Sequence, residues 1–169
     1  MNPQQAKAVA DALLADFAFE IPLTVGVFNA VPPDRLDFRP DQSSKTALGL
    51  LRHLTLEDEW LLRLAAGEPA VAFPDDSDAC GLMTPATAAA EYEKRMTAVI
   101  GRLKALSGED LLREVDMLGI IKMPAVNFIS LALRHSCHHR GQLSTYLRPM
   151  GSKVPGIYGP SADTVTATA

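Results

Sequence analysis

Several things are scarce in this chain, and each scarcity removes a class of explanation. Cysteine occurs twice, as Cys80 and Cys137, which is too few for a disulfide framework and points to a reduced, cytoplasmic setting. No apolar run is long enough to cross a bilayer, and Met1-Asn2-Pro3-Gln4-Gln5 lacks a signal-peptide pattern. No long basic run exists and the net charge is -4, so a dedicated nucleic-acid surface, which needs clustered Lys and Arg, is not expected. Aromatic residues are only 6% of the chain, whereas Ala and Leu are plentiful, which favours helix over sheet. Histidine is rarer still, with four in all, and three of these fall within five residues.

The remainder is ordinary for a globular protein, with 47% hydrophobic and 21% charged residues. A chain of 169 residues is most simply one domain with a sizeable core. Four stretches carry helical periodicity. The first spans about Pro3 to Asn29, with Val9, Leu13, Phe17, Ile21 and Val25 at roughly every fourth position and Pro22 expected to kink it. It breaks at Val31-Pro32-Pro33-Asp34, and residues 35–44 connect without a strong period. The second is expected to open with Ser44 as N-cap and end at Gly67. Its inward stripe is Leu50, His53, Leu54, Glu57, Leu61 and Leu64.

A long loop, residues 68–83, carries an acidic stretch from Asp75 to Cys80. Thr84-Pro85 then opens a third helix reaching about Leu106. Ser107-Gly108-Glu109-Asp110 suits the start of a short helix through Leu112. Residues 114–122 read as extended chain or as a hairpin-like turn around Gly119. Pro124 opens the last long helix, to Leu147, ahead of Pro149 and Gly151. The tail is expected to drape over the bundle as far as Pro160, with residues 161–169 loosely ordered. The pattern is all-α: a four-helix bundle whose long connections are able to cross it.

The segment Arg134-His135-Ser136-Cys137-His138-His139-Arg140 lies in the last helix. His135 and His139 are four apart, so both rings leave one face about one turn apart. They continue the inward stripe of Phe128, Leu131, Ala132, Gln142, Leu143 and Tyr146, while Cys137 points nearly the opposite way. His53 holds a comparable place on the second helix and could complete a three-histidine set. An unsatisfied buried ring costs on the order of 1–3 kcal/mol, and a shared ion would satisfy all three rings. Imidazoles favour Zn, Ni, Cu or Fe over Mg or Ca. Spacing alone leaves two readings open: metal ligands, or core histidines satisfied by hydrogen bonds.

Two further stretches sharpen this. Leu50-Leu51-Arg52-His53-Leu54 followed by Glu57 to Trp60, and His135 through Leu143 followed by Tyr146-Leu147-Arg148-Pro149-Met150-Gly151 and Val154-Pro155, resemble the DinB-like superfamily. These are damage-inducible four-helix-bundle metalloproteins, and the resemblance runs from the first helix to the tail. It implies a single DinB-like domain over residues 1–169, usually homodimeric. It also implies one Ni or Zn ion held by His53, His135 and His139, with His138 outside the ligand set. Some members transfer low-molecular-weight thiols or use them in isomerisation, and many have no assigned activity. Induction by DNA damage is not DNA binding.

Three protein ligands leave a coordination position open for a thiol or water. The first functional expectation is therefore a metal-dependent enzyme acting on a small molecule: a thiol transferase, or a related isomerase or hydrolase. Glu57, one turn beyond His53, is the candidate proton acceptor, or else an ordinary rim carboxylate. His138 and Arg140 are candidates to support the site or hold substrate, and Arg134 flanks it similarly. Trp60 and Tyr146 read as packing residues, and Cys137 as a small buried side chain. The alternatives are a non-catalytic stress-response protein with a structural or sensed ion, and a metal-free helical interaction module.

Overall fold

A computed structural model of the chain describes residues 1–165. Helix α1 (Pro3–Asn29) starts in a capping box, in which Asn2 and Gln5 satisfy each other's backbone amides, and it continues through Pro22 without ending there. Helix α2 is Ala47–Ala65. A single 3-10 turn, Asp78–Cys80, interrupts the following loop. Helix α3 (Pro85–Lys104) opens with a capping box between Thr84 and Thr87 and with Pro85 in its first turn. The short α4 (Gly108–Leu112) leads into strands β1 (Glu114–Met117) and β2 (Ile121–Pro124), and α5 is Ala125–Leu147.

The expected N-cap of α2 is corrected. Thr46, not Ser44, caps it, its hydroxyl accepting from the Gly49 amide. The preceding loop sets that start: Ala47 donates to the Phe38 carbonyl and Leu48 to that of Leu36, which occupies two amides the helix cannot satisfy itself. At the other end Gly67 adopts φ 104° and the Glu68 amide returns to the Arg63 carbonyl, closing the helix. Residues 114–124 form an antiparallel hairpin with Val115 opposite Met123, and Gly119 sits in its turn at φ 75°.

The four long helices form a bundle in which α1 packs against α3 and α5, and α2 packs against the same two. Helices α1 and α2, consecutive in sequence, are therefore diagonal partners, and the connection 30–46 has to cross the bundle. This arrangement places α2 beside α5 along their length. The interior is lined by Leu14, Phe17 and Phe28 of α1, Leu51, Leu54 and Leu62 of α2, Tyr92 and Met96 of α3, and Phe128 and Ala132 of α5. Such apolar burial is the main source of the bundle's stability. In the tail, Asp163 accepts from Arg148 and from the Val154 amide, which ties residues up to there to the end of α5. Residues 166–169, part of the segment expected to be loose, lie outside the described residues.

Candidate metal centre

The α2–α5 pairing decides where the histidines go. His53 extends from α2 and His135 and His139 from α5, and their rings meet between the two helices. The Nε2 of His53 is 3.1 Å from Nε2 of both His135 and His139. All three rings are half-buried. Among the described residues they form a group whose ligand atoms converge closely enough to share one ion.

The opposite ring nitrogens explain why this arrangement calls for a cation. His135 Nδ1 lies 2.7 Å from Asp58 Oδ1, and His139 Nδ1 lies 2.7 Å from Gln142 Oε1. Both partners are acceptors, so each Nδ1 carries the proton and each Nε2 presents a lone pair. One proton on His53 Nε2 can serve only one of the two lone pairs it faces. Burial lowers His53 to about 3, with the neighbouring imidazoles of His139 and His135 adding to the effect. Burial likewise lowers His139 to about 4, opposed by the Gln142 hydrogen bond. Convergent imidazole nitrogens, two of them on rings anchored through Nδ1, are the donor set of a late transition metal. His53 Nε2 lies 3.1 Å from each of the other two Nε2 atoms, a spacing at which nitrogens about 2.1 Å from an ion could share it.

Asp58 is the residue that sequence reasoning missed. It is fully buried, accepts from His135 and from the Tyr92 hydroxyl at 3.0 Å, and Tyr92 also contacts Ser136 at 2.9 Å. Burial pushes its carboxyl above the usual range, opposed by the His135 contact and by the hydrogen bonds of Ser136 and Tyr92. A signal was present, since Asp58 lies four residues after Leu54 and three before Leu61, a polar side chain in a line of leucines. Gln142 lies on the inward stripe of α5, and its hold on His139 is visible only in the structure.

Glu57 stands at the edge of the cluster, 3.6 Å from His53 Nδ1 and 3.6 Å from His135 Nε2. Burial raises its carboxyl pKa, with the His135 contact opposing. His138 is solvent-exposed and its ring packs on that of His139, with centroids 4.7 Å apart. Arg140 leaves the other side of α5: it is 2% exposed, pairs with Glu20 of α1 and contacts the hydroxyl of Tyr158 from the tail. Cys137 is half-buried, 3.5 Å from that hydroxyl and outside the histidine cluster. Trp60 packs on Phe73 at 5.1 Å between centroids, and the Tyr146 hydroxyl donates to the Lys45 carbonyl.

The sequence model of the DinB family matches residues 3–168. The chain belongs to the DinB family. Its similarity to the uncharacterized protein YrdA of Bacillus subtilis is 33% identity over 73 residues, spanning 43% of this chain and 43% of YrdA. A DinB-like protein of Bacillus cereus has the same fold, with TM-score 0.71 at 22% identity over 88% of this chain and 97% of that one. YfiT of Bacillus subtilis, described as a probable metal-dependent hydrolase with an unusual four-helix bundle topology, superposes with TM-score 0.67 at 18% identity, covering 90% of this chain and 91% of YfiT. At these identities the structural likeness speaks for the fold. The diagonal placement of α1 and α2 in this DinB-family chain is itself a departure from a simple up-and-down bundle. Among the described residues, no helix is long and apolar enough to cross a membrane.

Proposed function

We propose that this DinB-family protein is a metal-dependent enzyme in which His53, His135 and His139 hold one divalent transition ion, nickel or zinc. The observation that carries the reading is the convergence of three Nε2 atoms, two of them fixed as lone-pair donors by Asp58 and Gln142. When bound, the ion supplies a Lewis acid that lowers the pKa of a thiol or water and renders it nucleophilic at neutral pH. Asp58 orients His135 and Gln142 orients His139, so the chain holds both rings before an ion arrives. Glu57 sits within 3.6 Å of two of the three histidines and accepts the proton released from the nucleophile.

The reaction class is transfer of a low-molecular-weight thiol, or a related isomerisation or hydrolysis, on a small-molecule substrate. Three protein ligands and a cavity beside His139 favour an open catalytic site over a closed structural one. A homodimer in the cytoplasm is the setting proposed for it.

Metal analysis of purified wild-type and His53→Ala protein, with thermal denaturation before and after chelation, tests the reading. We expect about one transition ion per chain in wild type and none in the variant, with a lowered Tm in the variant only under metal-replete conditions. Equal destabilisation with and without metal would instead make His53 a core histidine.

A further inference from the structure

A cavity of about 270 Å³ opens beside the histidine cluster, and its walls differ in kind from the rest of the site. Its lining is His139, Gln142 and Tyr146 of α5, Ser43, Ser44 and Lys45 of the crossing connection, and Leu50 of α2. Lys45 is the one charged side chain among these residues. Its backbone is held, since the Tyr146 hydroxyl donates to its carbonyl and the start of α2 follows directly. The acidic groups of the site, Glu57 and Asp58, are not among the residues lining this cavity.

On this basis, and resting on the metal-enzyme reading above, we infer that the cavity is a substrate subsite for an oxyanion, a carboxylate or a phosphate. Lys45 supplies the charge, and Ser43, Ser44 and Gln142 supply neutral hydrogen-bonding groups around it. The substrate would then carry a negative group beside the atom that meets the cluster. Lys45 also pairs with Asp76 at 3.0 Å, but both side chains are more than 40% exposed. An exposed pair of this kind is a weak restraint that an anionic ligand can displace. Asp76 is anchored through its carbonyl to Arg52, so its side chain can swing away without moving the loop.

The test is a chemical-shift titration of isotope-labelled protein, metal-free and with one equivalent of zinc, using succinate, inorganic phosphate and the neutral diamide succinamide. Wild type is expected to show saturable shifts at the Ser44, Lys45 and Gln142 amides with an anion and none with succinamide. The tighter of the two anions identifies the group. Lys45→Met should raise the apparent Kd at least fivefold while zinc stoichiometry is unchanged. Equal binding by wild type and Lys45→Met, or an equal response to succinamide, would overturn the subsite. Anion binding at these amides in a chain that takes up no zinc would overturn the metal reading and leave the subsite standing.

Discussion

Asp58 accepts the Nδ1 proton of His135 across 2.7 Å from a position with no solvent exposure. A carboxylate so placed fixes one tautomer and one ring orientation, and it belongs to a buried chain that continues through Tyr92 to Ser136. Among the described residues, no buried side-chain nitrogen or oxygen lacks a partner. The network is therefore complete, and removing one member leaves the others exposed to the full cost of desolvation.

Asp58→Ala should weaken metal binding about 10–100-fold, the usual effect of losing a carboxylate behind a ligating histidine. It should also destabilise the metal-free protein by about 1–3 kcal/mol, because the Tyr92 hydroxyl and His135 Nδ1 lose their acceptor. Competition with a chromogenic chelator reads the first effect, and urea denaturation of metal-free protein reads the second. Unchanged metal affinity would remove Asp58 from the site.

Glu57→Gln should keep the metal and lose turnover. If Glu57 accepts the proton, kcat falls by about 10²–10⁴ with little change in KM. The substitution preserves shape and removes basicity, so metal content serves as the internal control. A variant with wild-type kcat would return Glu57 to the status of a rim carboxylate.

His138→Ala should leave one ion per chain, because that ring is exposed and lies beside His139 without entering the convergent set. His135→Ala should abolish stoichiometric binding. Inductively coupled plasma analysis of the two variants decides the assignment, and equal losses would sink it.

Glu20→Ala should be among the most destabilising single changes in the molecule. It strands the Arg140 guanidinium, which is 2% exposed, and an unpaired buried charge of that kind costs about 3–5 kcal/mol. The double variant Glu20→Leu with Arg140→Met should recover much of this loss, since neither charge remains. Denaturation midpoints of the single and double variants, with metal content alongside, provide the check. Metal binding by the double variant is expected to be retained, as Arg140 faces α1 and not the histidines.

Much of this could be read before any fold was known. The i, i+4 spacing of His135 and His139 puts both rings on the face that also carries Phe128 and Leu143, and His53 falls in line with Leu50 and Leu54. The helix start at Thr84-Pro85 followed from capping chemistry, which is local. The start of α2 did not, because Thr46 was selected over Ser44 by hydrogen bonds from Ala47 and Leu48 to a loop about ten residues upstream. Arg140 reads in sequence as a candidate to support the site or hold substrate for a similar reason: its partner Glu20 lies on a helix more than a hundred residues earlier.

Local periodicity and capping thus determined, from sequence alone, the four long helices, their apolar faces and the histidines those faces carry. Tertiary structure decided the rest. Packing α2 directly against α5, with α1 moved to the diagonal, brought His53 to the other two histidines and set Asp58 behind His135. The same packing turned Arg140 toward Glu20 and put Lys45 beside His139. Helical periodicity specifies which side chains share a face, because it depends on the backbone of one segment. Which faces then meet depends on the burial of several helices at once, a free energy that no single segment contains.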